Sequence, residues 1–283
     1  MSENGMLQGR DGRPGGPPAG GPRFGWLGLA LRWGGAAAFV AAVVAGLAWL
    51  RQGASGGNAP APAAPPPSTA APQVPPPPSP DHPLEPAAAE PIPALEASDA
   101  PFLSVLTRLS GVNGLARWIR PEHLIGNIVA SVDALPRNQV PRAVVPITPV
   151  PGSLLVSRQD GQAVIDAANA RRYLPWVHIV LATDPAAAAA EYRRYYPLFQ
   201  QAYRQLGYPN GYFNDRLIEA IDDVLAAPQP SAPLKVESPS VMWRYADPEL
   251  ESLSAGQKIL LRLGPQSAKA VRAWLASFRA KIA

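Results

Sequence analysis

Apolar residues recur at intervals of three and four over most of residues 99–283. This spacing places them on one face of an α-helix, and it is clearest over 102–109, 213–226 and 271–278. N-terminal capping signals stand ahead of three further helices: Asp184-Pro185, Asp247-Pro248, and Ser254 with Gln257. We therefore predict a mainly α-helical domain over 99–283, which is long enough to bury its own core.

Four details of this prediction concern single positions or short segments. Asp99 is expected to cap the first helix, and the second helix is expected to run through His123. Residues 162–170 are predicted to be helical. Pro197 is expected to kink the helix that follows Asp184 or to start a new one, because proline lacks the backbone N–H.

Two segments do not fit a helix. Five prolines between residues 135 and 156 exclude one there, so short strands are predicted at 144–145 and 154–156. Residues 235–244 are expected to be extended, as a small strand pair. The fold class is thus mainly α, with a minor short-strand element.

The N-terminal region contains a candidate membrane anchor. Residues 33–50 lie between Arg32 and Arg51 and carry no charge. A helix of this length covers about 27 Å, near the ~30 Å of a bilayer core. Trp33 and Trp49 stand at its ends, where indoles favour the membrane interface. We predict a transmembrane helix within 25–51 that contacts the lipid bilayer through 33–50, and not a cleaved signal peptide, because a long polar segment precedes it.

The arginines flanking the span indicate its orientation. Four precede it and one follows: Arg10, Arg13, Arg23, Arg32, then Arg51. Because the side richer in Lys and Arg stays in the cytoplasm, residues 1–24 are expected to form a disordered cytoplasmic tail. In a bacterium with two membranes, the C-terminal domain is then periplasmic and the protein a single-pass inner-membrane protein.

One face of the span carries a small residue at every fourth position. The row consists of Gly34, Ala38, Ala42 and Gly46, and such spacing lets two membrane helices pack closely. A homodimer through this face is one interpretation. The alternative is chance, because the span is rich in alanine.

Residues 52–98 are predicted to be a disordered linker. The segment is rich in proline and alanine, including Pro65-Pro66-Pro67 and 75–78. Proline-rich chain favours polyproline II and acts as a semi-rigid spacer. A ligand for a proline-binding module is the alternative.

Composition excludes several classes of function. The chain has no cysteine, which rules out disulfides, thiolate zinc sites and cysteine catalysis. The formal net charge of +4 is spread along 283 residues, without the dense basic stripe of a nucleic-acid-binding protein. P-loop, dinucleotide-binding and serine-nucleophile motifs are missing from the sequence. His82, His123 and His178 have no neighbouring ligands at metal-binding spacing. We therefore expect no cofactor and no metal.

Several segments of the domain together resemble a known bacterial family. The most specific is 192–209, a tyrosine- and arginine-rich run that ends in Gly207-Tyr208-Pro209, and it is followed by 212–218, 246–251, 253–258 and 261–265. The chain is similar over about residues 99–282 to the family catalogued as domain of unknown function 3014. The resemblance implies an N-terminal membrane anchor and a proline-rich stretch, but no activity.

An aromatic stripe marks the most specific segment. Its members recur at helical spacing: Tyr192, Tyr195, Tyr196, Phe199 and Tyr203. A stripe of this kind indicates core packing, with a glycan- or peptide-binding groove as the alternative. Binding candidates come from this segment and the following turn: Arg193, Arg194, Tyr208, Tyr212 and Asn214.

Acidic residues form a second constellation, on the predicted helix 213–226. They are Asp215, Glu219, Asp222 and Asp223. A pair such as Asp215 and Glu219 can serve as acid and base in glycoside hydrolysis. Ion pairing with Arg193, Arg194 or Arg216 is the more ordinary explanation.

The order of anchor, spacer and domain suggests a tethered binding or scaffolding module in the cell envelope, with a protein or peptidoglycan as partner. The alternative is a tethered cell-wall hydrolase that uses Asp215 and Glu219.

Overall fold

The computed structural model describes residues 79–84, 91–231, 233–239 and 242–283. The predicted cytoplasmic tail, the transmembrane helix and the row of Gly34, Ala38, Ala42 and Gly46 lie outside these residues. Among the described residues, no helix combines the length and apolar character that crossing a bilayer requires.

The described part of the domain is mostly helical, as predicted, with nine α-helices and two small antiparallel sheets. The helices are α1 Asp99–Ser110, α2 Leu124–Ala134, α3 Ala168–Arg171, α4 Leu174–Leu181, α5 Pro185–Gln205, α6 Phe213–Leu225, α7 Pro248–Ser252, α8 Ala255–Arg262 and α9 Pro265–Ile282. The strands are β1 Val156–Gln159, β2 Gln162–Ile165, β3 Val236–Glu237 and β4 Arg244–Tyr245. β1 pairs with β2, and β3 pairs with β4.

Helix α5 lies at the centre of the hydrophobic core. It packs against α2, α6 and α9, and α9 also contacts α4 and α6. Most of the aromatic stripe is buried in these contacts, and only Tyr196 is half-exposed. Phe199 lies within 6 Å, centroid to centroid, of Phe102 in α1 and Phe213 in α6. The interpretation of the stripe as core is therefore confirmed.

Two predicted details at the start of the domain are wrong. Ser98 occupies the N-cap position of α1 and makes no side-chain capping bond. The Asp99 carboxylate instead accepts hydrogen bonds from the backbone N–H groups of His123 and Leu124, both at 2.8 Å. It thereby caps α2, which begins at Leu124, and His123 stands outside the helix with a φ of 52°.

Residues 162–170 are a strand and one short helical turn, not a continuous helix. Val156 pairs with Ile165 and Gln159 with Gln162. Asp160 and Gly161 form the turn with φ angles of 49° and 77°, which is the conformation that an Asp-Gly hairpin favours. The strands predicted at 144–145 and 154–156 are also largely wrong, because Arg142–Val144 is a 3₁₀ turn and only Val156 belongs to β1.

Pro197 does not interrupt its helix. Helix α5 continues from Pro185 to Gln205 with Pro197 inside it. The side chain of Pro197 is exposed, so the backbone carbonyl that loses its partner can face water. The predicted caps at Asp184, Asp247 and Ser254 are confirmed, as is the strand pair within 235–244.

Candidate functional site

The N-terminus of α6 is capped by a side chain from the neighbouring helix α5. Tyr212 stands at the N-cap position and makes no side-chain capping bond. The capping bond comes instead from Gln200 of α5. Its Oε1 atom accepts from the Phe213 N–H at 2.9 Å, and its Nε2 atom donates to the Gly211 carbonyl at 2.7 Å. Because the helix is capped from α5, the polar side chains of its first turn are left to bind elsewhere.

Asn214 and Asp215 hold a segment that precedes the domain in sequence. The Asp215 carboxylate accepts from the backbone N–H of Asp81 at 3.1 Å and of His82 at 2.8 Å. The Asn214 amide donates to the His82 carbonyl at 2.9 Å. We call these contacts of Asn214 and Asp215 with residues 81–82 the linker dock. The bonded groups of the segment are backbone atoms, so its side chains play no part in these bonds.

The rest of this segment also touches the domain. Pro80, His82 and Leu84 are half-buried, while the residues between them are exposed. Leu84 packs against the main hydrophobic core, and Ile92 and Leu95 do so further along the chain. The described parts of 79–98, which the sequence assigns to the linker, therefore contact the helical domain.

Asn214 is completely buried and uses its whole amide. Besides His82, it donates to the Ile282 carbonyl at 2.8 Å and accepts from the Tyr192 hydroxyl at 3.1 Å. Arg193 donates to the neighbouring Lys281 carbonyl. These two binding candidates therefore satisfy the last carbonyls of α9, where the helix leaves its acceptors without intrahelical partners.

An ion-pair network lies beside the linker dock. Arg216 contacts Asp133 through Nε at 3.0 Å and Glu219 through Nη1 at 2.7 Å. Arg137 donates to Asp133 and, at 2.8 Å, to the Tyr208 hydroxyl. Burial by itself lowers the pKa of Arg216, but the hydrogen bond and charge of Glu219, together with Asp133, raise it above the ordinary value. The expected pairing of an acidic residue with Arg216 is confirmed.

The remaining candidates lie apart from this network. Arg194 lies 3.8 Å from the Glu191 carboxylate, with its guanidinium 5.7 Å from the centre of the Tyr195 ring. Further along α6, Asp222 pairs with Arg279 at 2.7 Å, and Asp223 accepts from the Ser254 hydroxyl at 2.5 Å. The acidic row thus has ordinary structural partners along its length.

A cavity of about 460 Å³ brings together three of the predicted residues, Tyr212, Asp215 and Glu219, with Asp81 and His82 of the docked segment. Asp215 uses both carboxylate oxygens on backbone donors, and Glu219 is paired while its side chain is 62% exposed. Within the described residues, no group of three His, Asp or Glu side chains is placed to hold a metal ion.

Sequence reasoning missed Asp133 and the segment 79–84. Asp133 is the one charged residue of the otherwise apolar or neutral helix α2, which was the available signal. Residues 52–78 carry no charge and no histidine, so Asp81 and His82 do set 79–84 apart in composition, but they do not reveal where the segment docks. Its docking depends on acceptors more than 130 positions away.

The family is now established. The profile described as "Protein of unknown function (DUF3014)" matches residues 124–279, more than half of the chain, so the chain belongs to this family. The match includes α6, which carries Asn214 and Asp215 of the linker dock, and it assigns no activity. No curated protein and no solved structure is significantly similar to this chain.

Proposed function

We propose that this protein is a single-pass inner-membrane protein whose periplasmic domain is a tethered binding or scaffolding module of the cell envelope. The arginine asymmetry around 33–50 supports the orientation. The proline-rich composition of 52–78 supports a spacer between membrane and domain.

The observation that carries the proposal is the linker dock. Asp215, one of the two carboxylates that a hydrolase would need, binds the backbone of Asp81 and His82 with both oxygens. Glu219, the other, is paired with Arg216. The first turn of α6 is thus used as an attachment point for the end of the spacer, and this supports a tethering role over acid–base catalysis.

The dock also changes the expected reach of the module. If the spacer is fixed to the domain at residues 81–82, only residues 52–78 separate domain and membrane. At about 3.1 Å per residue in polyproline II, they span on the order of 80 Å. This length sets the volume within which the module can meet a partner.

Two measurements separate a binding module from a hydrolase. The full-length protein is incubated with purified peptidoglycan beside the variants Asp215→Asn and Glu219→Gln. In intact cells, a photo-crosslinking residue replaces Leu174 or Leu181, which are exposed and lie seven positions apart on α4. We expect no release of soluble fragments, and a discrete crosslinked adduct. Fragment release that either variant abolishes, or the absence of adducts from both positions, would contradict the proposal.

The location of the domain is tested separately. A reporter enzyme that is active only outside the cytoplasm, fused after Ala283, is expected to be active. A silent fusion, together with an active cytoplasmic reporter at the same position, would reverse the proposed orientation.

A further inference from the structure

A second cavity, of about 380 Å³, is lined by different residues from the linker dock. Its wall comes from the end of β1, from β2 and α3, from residues 228–231 and 233–234, and from the end of α8 and the first half of α9. The apolar part includes Ile165, Leu234, Leu260 and Leu261. The volume lies in the range of small-ligand pockets, which combine a mostly apolar lining with a few polar groups.

Arg262, the last residue of α8, lines this cavity without a polar partner. The residue is only 6% exposed, and its Nε atom is buried without a hydrogen bond. Within the part of the chain that the structure describes, its side chain forms neither a hydrogen bond nor an ion pair, and its guanidinium lies 6.0 Å from the centre of the Tyr245 ring. A buried N–H group without an acceptor is costly, and a ligand oxygen placed beside it would remove that cost.

Arg272 of α9 adds a second cation to the same wall. It donates to the carbonyls of Leu225, at 2.5 Å, and Ala227, and so fixes the chain that leaves α6. Its Nε atom is also buried without a hydrogen bond. Among the described residues that line the cavity, Asp166 is the one acidic residue. Its carboxylate already accepts from the Ala168 N–H at 2.7 Å. The cavity therefore has a net positive wall.

We propose that this cavity binds the C-terminal carboxylate of a peptide that ends in an apolar residue. The planar guanidinium of Arg262 matches a carboxylate, which can accept two parallel N–H bonds. The apolar wall would receive the last side chain. Gln159, Gln229 and Ser231 line the cavity as well and offer hydrogen bonds to the peptide amides. A free fatty acid would leave these groups without partners, and a phosphate would bring more negative charge towards Asp166.

The test compares an acid with its matched amide on the full-length protein. The probes are N-acetyl-alanyl-leucine, the same peptide with a C-terminal amide, octanoate and inorganic phosphate. Affinity is measured by calorimetry. Contact is measured from the Nε–H resonance of Arg262, which is assigned by its loss in Arg262→Met.

We expect the peptide acid to shift the Arg262 resonance and to bind at least about tenfold more tightly than the amide, because the bond to a charged acceptor is lost in the amide. Arg262→Met is expected to abolish this preference. Arg171→Met is the matched control, because Arg171 belongs to α3 but is exposed and does not line the cavity. Arg262→Lys, which keeps the charge, is expected to retain part of the preference.

Equal affinity of the unmodified protein for the peptide acid and the peptide amide would overturn the proposal. So would a failure of both peptides to bind. The same holds if the resonance of Arg262 does not move. Tighter binding of octanoate or phosphate than of the peptide acid would overturn the choice of occupant. The acid–amide comparison needs no variant, so it decides the matter even if Arg262→Met fails to fold. The result is independent of the hydrolysis and crosslinking outcomes.

Discussion

At the scale of single residues, the core depends on a few aromatic side chains of α5. Phe199 is 1% exposed, and its ring stacks on Phe213 at 5.6 Å with an angle of 6° between the planes. The rings of Phe102 and Tyr192 lie 5.7 and 5.5 Å away. Phe199 therefore connects three helices through apolar contacts alone.

Phe199→Ala is expected to lower the free energy of unfolding by about 3–5 kcal/mol, the usual loss for truncating a buried phenylalanine. Tyr212→Ala is the comparison variant. Tyr212 is half-buried at the edge of a cavity, and its truncation is expected to cost about 1 kcal/mol or less. Urea denaturation of the full-length protein measures both. The reverse order of the two losses would contradict the assignment of core and edge.

Asp223 of α6 is hydrogen-bonded to Ser254 at the start of α8, and its effect on the free energy of unfolding depends on pH. Burial raises the pKa of its carboxyl group above the ordinary value, although the hydrogen bond from Ser254 acts in the lowering direction. The ionised form is therefore less favourable in the folded protein than in the unfolded chain. This destabilising contribution is absent below the unfolded pKa, near 3.9, and grows as the pH rises through the folded pKa.

Asp223→Asn is expected to remove this pH-dependent contribution, because the amide oxygen still accepts from Ser254 but carries no charge. Relative to the unmodified protein, the variant should gain stability between about pH 4 and pH 7. Urea denaturation at both pH values measures the difference. A variant that instead loses stability as the pH rises would show that the hydrogen bond to the charged carboxylate outweighs the burial.

At the scale of elements, two glycines in helices have opposite surroundings. A Cβ atom added to Gly256 in α8 would lie 2.6 Å from the Val224 Cγ2 atom of α6, while the Gly256 N–H donates to the Leu135 carbonyl at 3.0 Å. A Cβ atom added to Gly126 in α2 would meet nothing within 4 Å. The first glycine is required by close packing, whereas the second is not.

Gly256→Ala is therefore expected to destabilise the protein by about 1–3 kcal/mol through overpacking. Gly126→Ala should stabilise it by about 0.5–1 kcal/mol, because alanine favours the helix. Thermal unfolding of the two variants gives the signs directly. Destabilisation by both would mean that the close approach of α8 to α6 is not what requires Gly256.

Helix caps and strands differ in whether the contacts that fix them lie close by in the sequence. Asp184 and Ser254 cap helices through atoms two or three residues away, so the sequence alone predicts them. Asp99 caps a helix that begins 25 positions further along the chain. β2 is fixed by a hairpin and by the bond from the Ile165 N–H to the Leu234 carbonyl. Such contacts depend on tertiary packing, which helical periodicity does not contain.

The same distinction applies to the candidate sites. Local spacing identified Asp215 and Glu219 as an acidic pair, and Tyr212 and Asn214 as separate binding candidates. The structure places all four in or next to the first two turns of α6. The segment held by Asn214 and Asp215 comes from far away in sequence. Arg262 belongs to a run of apolar residues with helical spacing, and its buried position beside Tyr245 follows only from how β4 packs on α8.

At the scale of the whole molecule, the proposed tether requires that the domain holds residues 81–82 in solution. The most direct test is hydrogen exchange of the Asp81 and His82 backbone amides in the full-length protein. Both amides donate to Asp215, so both should be protected. Asp215→Ala should raise their exchange rates at least about tenfold, while Glu219→Ala, a matched loss of a carboxylate on the same helix, should leave them unchanged. Equal and rapid exchange in the unmodified protein and in Asp215→Ala would show that Asp215 does not hold this segment.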